Sequence, residues 1–422
     1  MILVFLVLVA LTGPVAFALG LASVASLYVG GTTPLQTVTS RMFAGGDSFV
    51  LLAIPLFVLA GALMETGGIS VRLVNLAKAL VGSIRGGLGM VVVVGEMFFS
   101  GISGSTLADV SAIGALLVPS MMRAGFTPPQ ATAIVSAASA MGILIPPCLL
   151  MVVVAQMTNL SVGALFFAGF IPAVVLAVAV MAVIYVQAVR SGIGSEKRMG
   201  CAAILHAFVD SLISLGMPVI IFGSILGGVA DPTEAAVLAV VYALVVGVFV
   251  YKEIKITDLP RIFTDSAVMT GVVVFMVGTA SSFSWILANE QVPAAITKVM
   301  LSLSDSPLVF FILSSIVFII LGAILEGMPA VIICLPVFMP AAVKFGINPL
   351  HYSIVVIAAI GVGLFLPPIG VGLYIAAKFA GINVDKAAGA MVPYTVVLFL
   401  GMVILMAFPW LTLVIPNMVF GH

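Results

Sequence analysis

Long, nearly uninterrupted hydrophobic runs dominate this chain, and short polar breaks separate them. The runs fall at 2–28, 49–64, 88–99, 131–155, 164–189, 211–229, 235–251, 267–287, 308–325, 352–366 and 392–414. A helix needs about 20 apolar residues to cross the core of a bilayer. The runs are continuous rather than alternating, which predicts helices and not a barrel. The expected fold is therefore an all-α polytopic membrane protein. The first run has no basic leader before it, so it reads as a first membrane helix and not as a cleaved signal. Stretches 100–126 and 326–346 are too polar or too interrupted by Pro and Gly to be simple spans. Asp47-Ser48 before Phe49 reads as a helix N-cap, and Asp231-Pro232-Thr233-Glu234 as a helix start. Breaks at 190–200 and 252–265 carry basic residues of the kind that stay cytoplasmic; together they leave the orientation open.

The pattern repeats. Pro119 and Gly125, followed by Gly142-I-L-I-Pro146-Pro147, find counterparts in Pro340 and Gly346, followed by Gly363-L-F-L-Pro367-Pro368. The offset is constant at 221 (340 − 119, 363 − 142, 367 − 146). Arg123 then matches Lys344, and Pro128 matches Pro349. Two copies of a membrane unit are the expected build of a secondary transporter, and paired broken segments mark its binding site. The division expected is 1–200 and 201–422, each half holding scaffold helices and one hairpin, near 98–123 and near 322–345. Inversion of the repeats is expected, because broken helices entering from opposite faces can meet at the midplane.

Composition narrows the function. Of 422 residues, 63% are hydrophobic and 7% charged, against about 25% charged in a soluble domain. Mean hydropathy is +1.38. The formal net charge is zero, which gives no reason to expect a nucleic-acid partner. Cys148, Cys201 and Cys334 form neither a disulfide framework nor a metal-ligand spacing. No Walker loop is present. An enzyme is not expected.

The candidate chemistry lies in the broken segments. Ser100, Ser103, Ser105, Thr106, Gly101 and Gly104 crowd into seven residues. The glycines permit an unwound turn that frees backbone amides and carbonyls. Hydroxyl and carbonyl oxygens suit a hard cation, and amides at a half-helix N-terminus suit a carboxylate. Small-residue helix packing would use the same residue types. The two prolines after Ile145 remove two amide donors, leaving the carbonyls of Gly142 and Ile145 as natural Na⁺ ligands. In the second copy Ser103 maps to Ile324, Ser105 to Glu326 and Thr106 to Gly327. Glu326, a carboxylate in an apolar stretch, is a functional candidate, with a structural ion pair as the competing reading. Glu65, Glu96 and Asp109 are further intramembrane acids, and His351 reads as structural.

These residues resemble a known family, the large membrane subunit of TRAP (tripartite ATP-independent periplasmic) transporters, over nearly the whole chain. The resemblance is carried by 41–61 (RMFAGGDSFVLLAIPLFVLAG), 67–73 (GGISVRL), 85–88 (RGGL), the 100–109 hairpin followed by Ile145-Pro146-Pro147, and 227–236 (GGVADPTEAA). It implies an inverted-repeat, elevator-type fold of the ion transporter superfamily in the bacterial inner membrane. It further implies Na⁺-coupled uptake of a small organic acid delivered by a periplasmic substrate-binding protein. A small membrane (Q) subunit is implied as well, expected here as a separate chain. One Na⁺ site would fall on Ser103, Gly142, Ile145 and Cys148, a second on Gly322, Ile324, Gly363 and Leu366, mostly through backbone oxygens. The solute would lie near Ser103, Gly104, Ser105, Glu326 and Gly327. Where many members carry Ser, Thr and Asn, this chain has Cys148, Leu366 and Ala359, and Glu326 stands where Asp is common. These changes remove side-chain oxygens, chiefly from the second site. The alternative is a stand-alone Na⁺- or H⁺-coupled carboxylate carrier that needs no binding protein. A proton-conducting subunit of an energy-converting complex is disfavoured, since the helices hold no lysine array.

Overall fold

A computed structural model describes the chain apart from residues 12, 32, 196–199, 326 and 422, and apart from the side chains of Ser70, Ile102, Ser103 and Cys201. The described residues form helices and no strand. In order they are α1 (Ile2–Ala10), α2 (Val15–Gly30), α3 (Gln36–Gly46), α4 (Ala53–Thr66, entered through a 3₁₀ turn at Phe49–Leu52), α5 (Ile69–Val81) and α6 (Gly87–Ser103). Then come α7 (Thr106–Arg123), α8 (Pro128–Gly142), α9 (Leu149–Thr158), α10 (Val162–Ser191), α11 (Cys201–Leu226), α12 (Pro232–Val245) and α13 (Leu259–Asn289). The chain finishes with α14 (Val292–Leu303), α15 (Pro307–Leu325), α16 (Gly327–Lys344), α17 (Pro349–Leu364), α18 (Val371–Ala380), α19 (Val384–Ala407) and α20 (Trp410–Phe420). Among the described residues, eight helices are long and apolar enough to cross a membrane.

The helices repeat as the sequence does. Thr106 and Gly327, which open α7 and α16, lie 221 positions apart (327 − 106), as do Pro128 and Pro349, which open α8 and α17. The Pro146–Pro147 and Pro367–Pro368 bonds are both cis. Packing exchanges the copies: α8 packs on α19 and α17 on α10; α7 packs on α18 and α16 on α9; α4 packs on α12 and α13 on α2. That reciprocity is what a two-fold relation produces. The axis passes between α8 and α17, both buried all round. Gly361 faces the carbonyl of Ala140 there, and a Cβ on Gly361 would lie 2.3 Å from that oxygen.

Run 131–155 breaks at Pro146-Pro147 into α8 and α9, as the two missing amide donors imply. Three expectations change. Run 2–28 is two helices, not one, because Pro14 lacks the amide that would continue α1. Stretch 326–346, by contrast, carries an unbroken 18-residue helix, α16, with Pro336 and Pro340 inside it. A mid-helix proline kinks a packed helix without ending it when neighbours hold both sides. Ser48 does not cap with its side chain; its Oγ donates to Gln156 Oε1 of α9 at 2.5 Å. Asp231 does cap, accepting from the Thr233 and Glu234 amides at 2.7 and 2.9 Å, while Glu234 closes the capping box.

Candidate functional site

Two helical hairpins, α6–α7 and α15–α16, bring their tips to one cavity of about 180 Å³. Hairpin 1 contributes Gly104, Ser105, Thr106 and Leu107; hairpin 2 contributes Gly327, Met328 and Pro329. Ile143, Cys148, Leu149 and Leu150 close it from the first Pro-Pro loop, and Leu364 from the end of α17. The remaining wall is α13, through Met269, Val272, Val273 and Met276. Those four recur at the spacing of one helical face.

Local chemistry shapes the hairpin 1 tip. Gly104 takes φ +66, a left-handed conformation in which a side chain is strained. It ends α6, and Ser105 returns to extended backbone before α7 begins. The Gly104 carbonyl accepts from the Leu149 amide at 3.3 Å, which fixes the tip against the start of α9. Three helix N-termini therefore open on the cavity, those of α7, α9 and α16. Helix N-termini carry partial positive charge and attract anions. No described side chain lining the cavity is charged.

Of the predicted solute contacts, Gly104, Ser105 and Gly327 line this cavity together, with Cys148 from the first predicted ion set beside them. Glu326 and the Ser103 side chain lie outside the described residues. Gly142 and Ile145 are buried in the turn before Pro146, where the Gly142 carbonyl accepts from the Ile145 amide at 2.8 Å and from Ser100 Oγ at 2.7 Å. The same turn recurs in the second copy, with the Gly363 carbonyl accepting from the Leu366 amide at 3.0 Å. The second predicted ion set is looser. Leu366 is half-buried and the Ile324 side chain is 50% exposed. A Cβ on Gly322 would lie 3.2 Å from the Ile360 carbonyl oxygen, and one on Gly363 only 2.3 Å from that of Ile319. Both glycines thus also serve close approach of α15 and α17. Arg123 and Lys344 are exposed at the ends of α7 and α16. His351 Nδ1 pairs with Thr412 Oγ1 at 2.8 Å, in keeping with a structural residue.

Sequence reasoning did not single out the α13 wall. A stripe of Val and Met on an apolar helix gives no local signal. Thr106, at the first position of α7, was visible in the hydroxyl-rich segment.

The family profile described as "Tripartite ATP-independent periplasmic transporter, DctM component" matches residues 2–411. The chain belongs to the DctM family of TRAP transporters. It is 34% identical over 400 residues to the C4-dicarboxylate TRAP transporter large permease protein DctM of Pseudomonas aeruginosa, covering 95% of this chain and 94% of that one. It is 34% identical to the sialic acid TRAP transporter large permease protein SiaM of Vibrio cholerae, covering 97% and 96%. It is also 34% identical to the isethionate TRAP transporter permease protein DctMQ of Oleidesulfovibrio alaskensis, covering 90% of this chain but 60% of that longer one. The crystal structure of the Alcanivorax borkumensis YdaH transporter shares the fold, with a TM-score of 0.58, 14% identity, and coverage of 90% and 88%. As a TRAP large permease, the chain is an integral inner-membrane protein and not an enzyme.

Proposed function

We propose that this TRAP permease imports a small organic acid, bound as its anion between the two hairpin tips and coupled to Na⁺. One observation carries the reading: three helix N-termini, drawn from both repeats, open on a cavity with no charged described side chain. Backbone dipoles then supply the positive potential that a carboxylate needs. The apolar α13 wall suits the carbon skeleton of the solute. C4-dicarboxylates, sialic acid and isethionate, named for the relatives, are all organic anions. The Gly142 carbonyl and Ser100 hydroxyl, 2.7 Å apart, are oxygen donors of the kind Na⁺ takes, and buried Ile145 of the same turn would supply a further carbonyl. Inverted repeats moving as an elevator would carry this site across the bilayer.

The partners follow the same reading. A small Q-type membrane subunit joins the permease, and the longer DctMQ relative supports such a pairing. A periplasmic binding protein hands over the solute. The test is uptake of labelled organic acids into proteoliposomes that hold this chain, its small partner and the binding protein, under an inward Na⁺ gradient. Uptake that needs both the gradient and the binding protein is expected. Uptake without the binding protein would make this a stand-alone carrier, and uptake driven only by protons would remove Na⁺ from the mechanism.

A further inference from the structure

A fully buried carboxylate lies in the long arm of hairpin 1, away from the solute cavity. Glu96 of α6 is 0% exposed. Its Oε1 accepts a hydrogen bond from Ser139 Oγ of α8. Its Oε2 is buried with no hydrogen-bond partner among the described residues, and so is the Ser136 hydroxyl one turn before Ser139. A buried carboxylate oxygen without a partner is costly unless something compensates its charge.

No basic group does so. Asp109 of α7 is the charged group that acts on Glu96, and it is of like sign. α8 carries no titratable residue. On the helices packed against α6, Arg72 of α5 pairs with Glu253, Lys78 is half-buried in the last turn of α5, and Glu65 of α4, Arg123 of α7 and Arg190 of α10 are exposed at helix ends.

The surroundings supply oxygens instead. Ser100 Oγ donates to the Gly142 carbonyl at 2.7 Å. Gly142 lets these groups come close: a Cβ there would lie only 3.2 Å from Ser100 Oγ and 3.7 Å from Glu96 Oε2. A carboxylate, a hydroxyl and a carbonyl gathered this closely form a hard-oxygen donor set for an alkali cation. No group of three His, Cys, Asp or Glu residues gathers among the described residues, so a transition metal has no cage here.

The second repeat shows that the hairpin does not need this cluster in order to pack. At the 221 offset, Glu96, Ser100, Ser136 and Ser139 become Val317, Leu321, Ile357 and Ile360. Apolar residues build the equivalent hairpin, so the polar set in the first repeat has another task.

We propose that Glu96 Oε2, Ser100 Oγ and the Gly142 carbonyl, with Ser139 orienting the carboxylate, form a Na⁺ site inside hairpin 1. This deepens the Na⁺ reading above by giving one coupling ion a charged ligand. The test is made on the purified chain with its small partner in detergent. Binding of ²²Na⁺ and the Na⁺-dependent rise in Tm are measured against choline. Glu96→Gln keeps the shape and the Ser139 contact, and is expected to raise the Na⁺ Kd about tenfold or more. Gly142→Ala crowds Ser100 and Glu96 without touching charge and is expected to do the same. Ser139→Ala weakens Na⁺ binding by a smaller factor, and it carries the test independently if Glu96→Gln does not fold. Wild-type Na⁺ affinity in these variants overturns the Glu96 site while leaving Na⁺ coupling through other oxygens intact. A wild-type protein that binds no Na⁺ overturns both readings. Variants whose uptake changes with pH while Na⁺ binding stays unchanged would make Glu96 a proton carrier and also overturn the site.

Discussion

Gly361 lies against the backbone carbonyl of Ala140, its own counterpart at the 221 offset of the repeat (361 − 140). Two equivalent positions can touch only beside the axis that relates the copies. A Cβ on Gly361 would come within 2.3 Å of the Ala140 oxygen and 2.8 Å of Ile143 Cγ2. Gly361→Ala must therefore push α8 and α17 apart. Overpacking of this kind costs about 1–3 kcal/mol. A lower Tm in detergent and reduced uptake are expected. Ala140→Gly relieves the same crowding only if the carbonyl can move, so it should not rescue the Tm of Gly361→Ala.

Gly104 sets the hairpin 1 tip through its positive φ and its bond to the Leu149 amide. Gly104→Ala forces a side chain into the left-handed region at about 1–2 kcal/mol. It also puts a Cβ 3.2 Å from Leu149 Cγ. A marked rise in the KM for solute is expected. Gly104→Asn tolerates the backbone better and should lose less, although the contact with Leu149 remains.

Val272 lines the cavity from α13 and is half exposed, so a larger side chain there need not disturb the core. Val272→Trp should reduce the space of about 180 Å³ while leaving the protein folded. Uptake of bulky acids is expected to fall before that of small ones. Equal loss across a size series would mean that α13 does not shape the site.

Arg72 reaches from α5 to Glu253 at 3.0 Å and lies over the Tyr251 ring, 3.6 Å from its centre. The ion pair is part-exposed and contributes little by itself. The cation–π contact adds about 0.5–1 kcal/mol. Arg72→Ala is expected to lower stability by about 1 kcal/mol, read as a modest drop in Tm. Solute preference should not change, because these residues are remote from the cavity.

Much of the architecture was legible because Pro and Gly act locally. Pro119, Pro146 and Gly142 recur as Pro340, Pro367 and Gly363, and the chain breaks or kinks where they fall. The tip residues Gly104 and Ser105 were legible for the same reason. What stayed hidden depends on distant pairing. Ser48 was read as a cap, but its partner Gln156 is 108 positions away. Ser139 reaches Glu96 across 43 positions, and no spacing rule connects them. The α13 wall was hidden for another reason. Where most residues are apolar, the face toward a solute and the face toward lipid are written in the same letters. Pro14 was the one local break overlooked, because hydropathy resumes directly after it.

The three helix ends around the cavity have a consequence for the empty protein. α7, α9 and α16 point ends of like sign at the cavity; the side chains described around it are uncharged, and the nearest acid, Asp109, lies behind the lining in the first turn of α7. With an anion in place, each end is attracted inward; without it, they repel across an apolar gap of low dielectric. On the reading proposed above, the solute anion would work as an electrostatic rivet between the two repeats: its arrival would draw the hairpin tips together, and its release would loosen them.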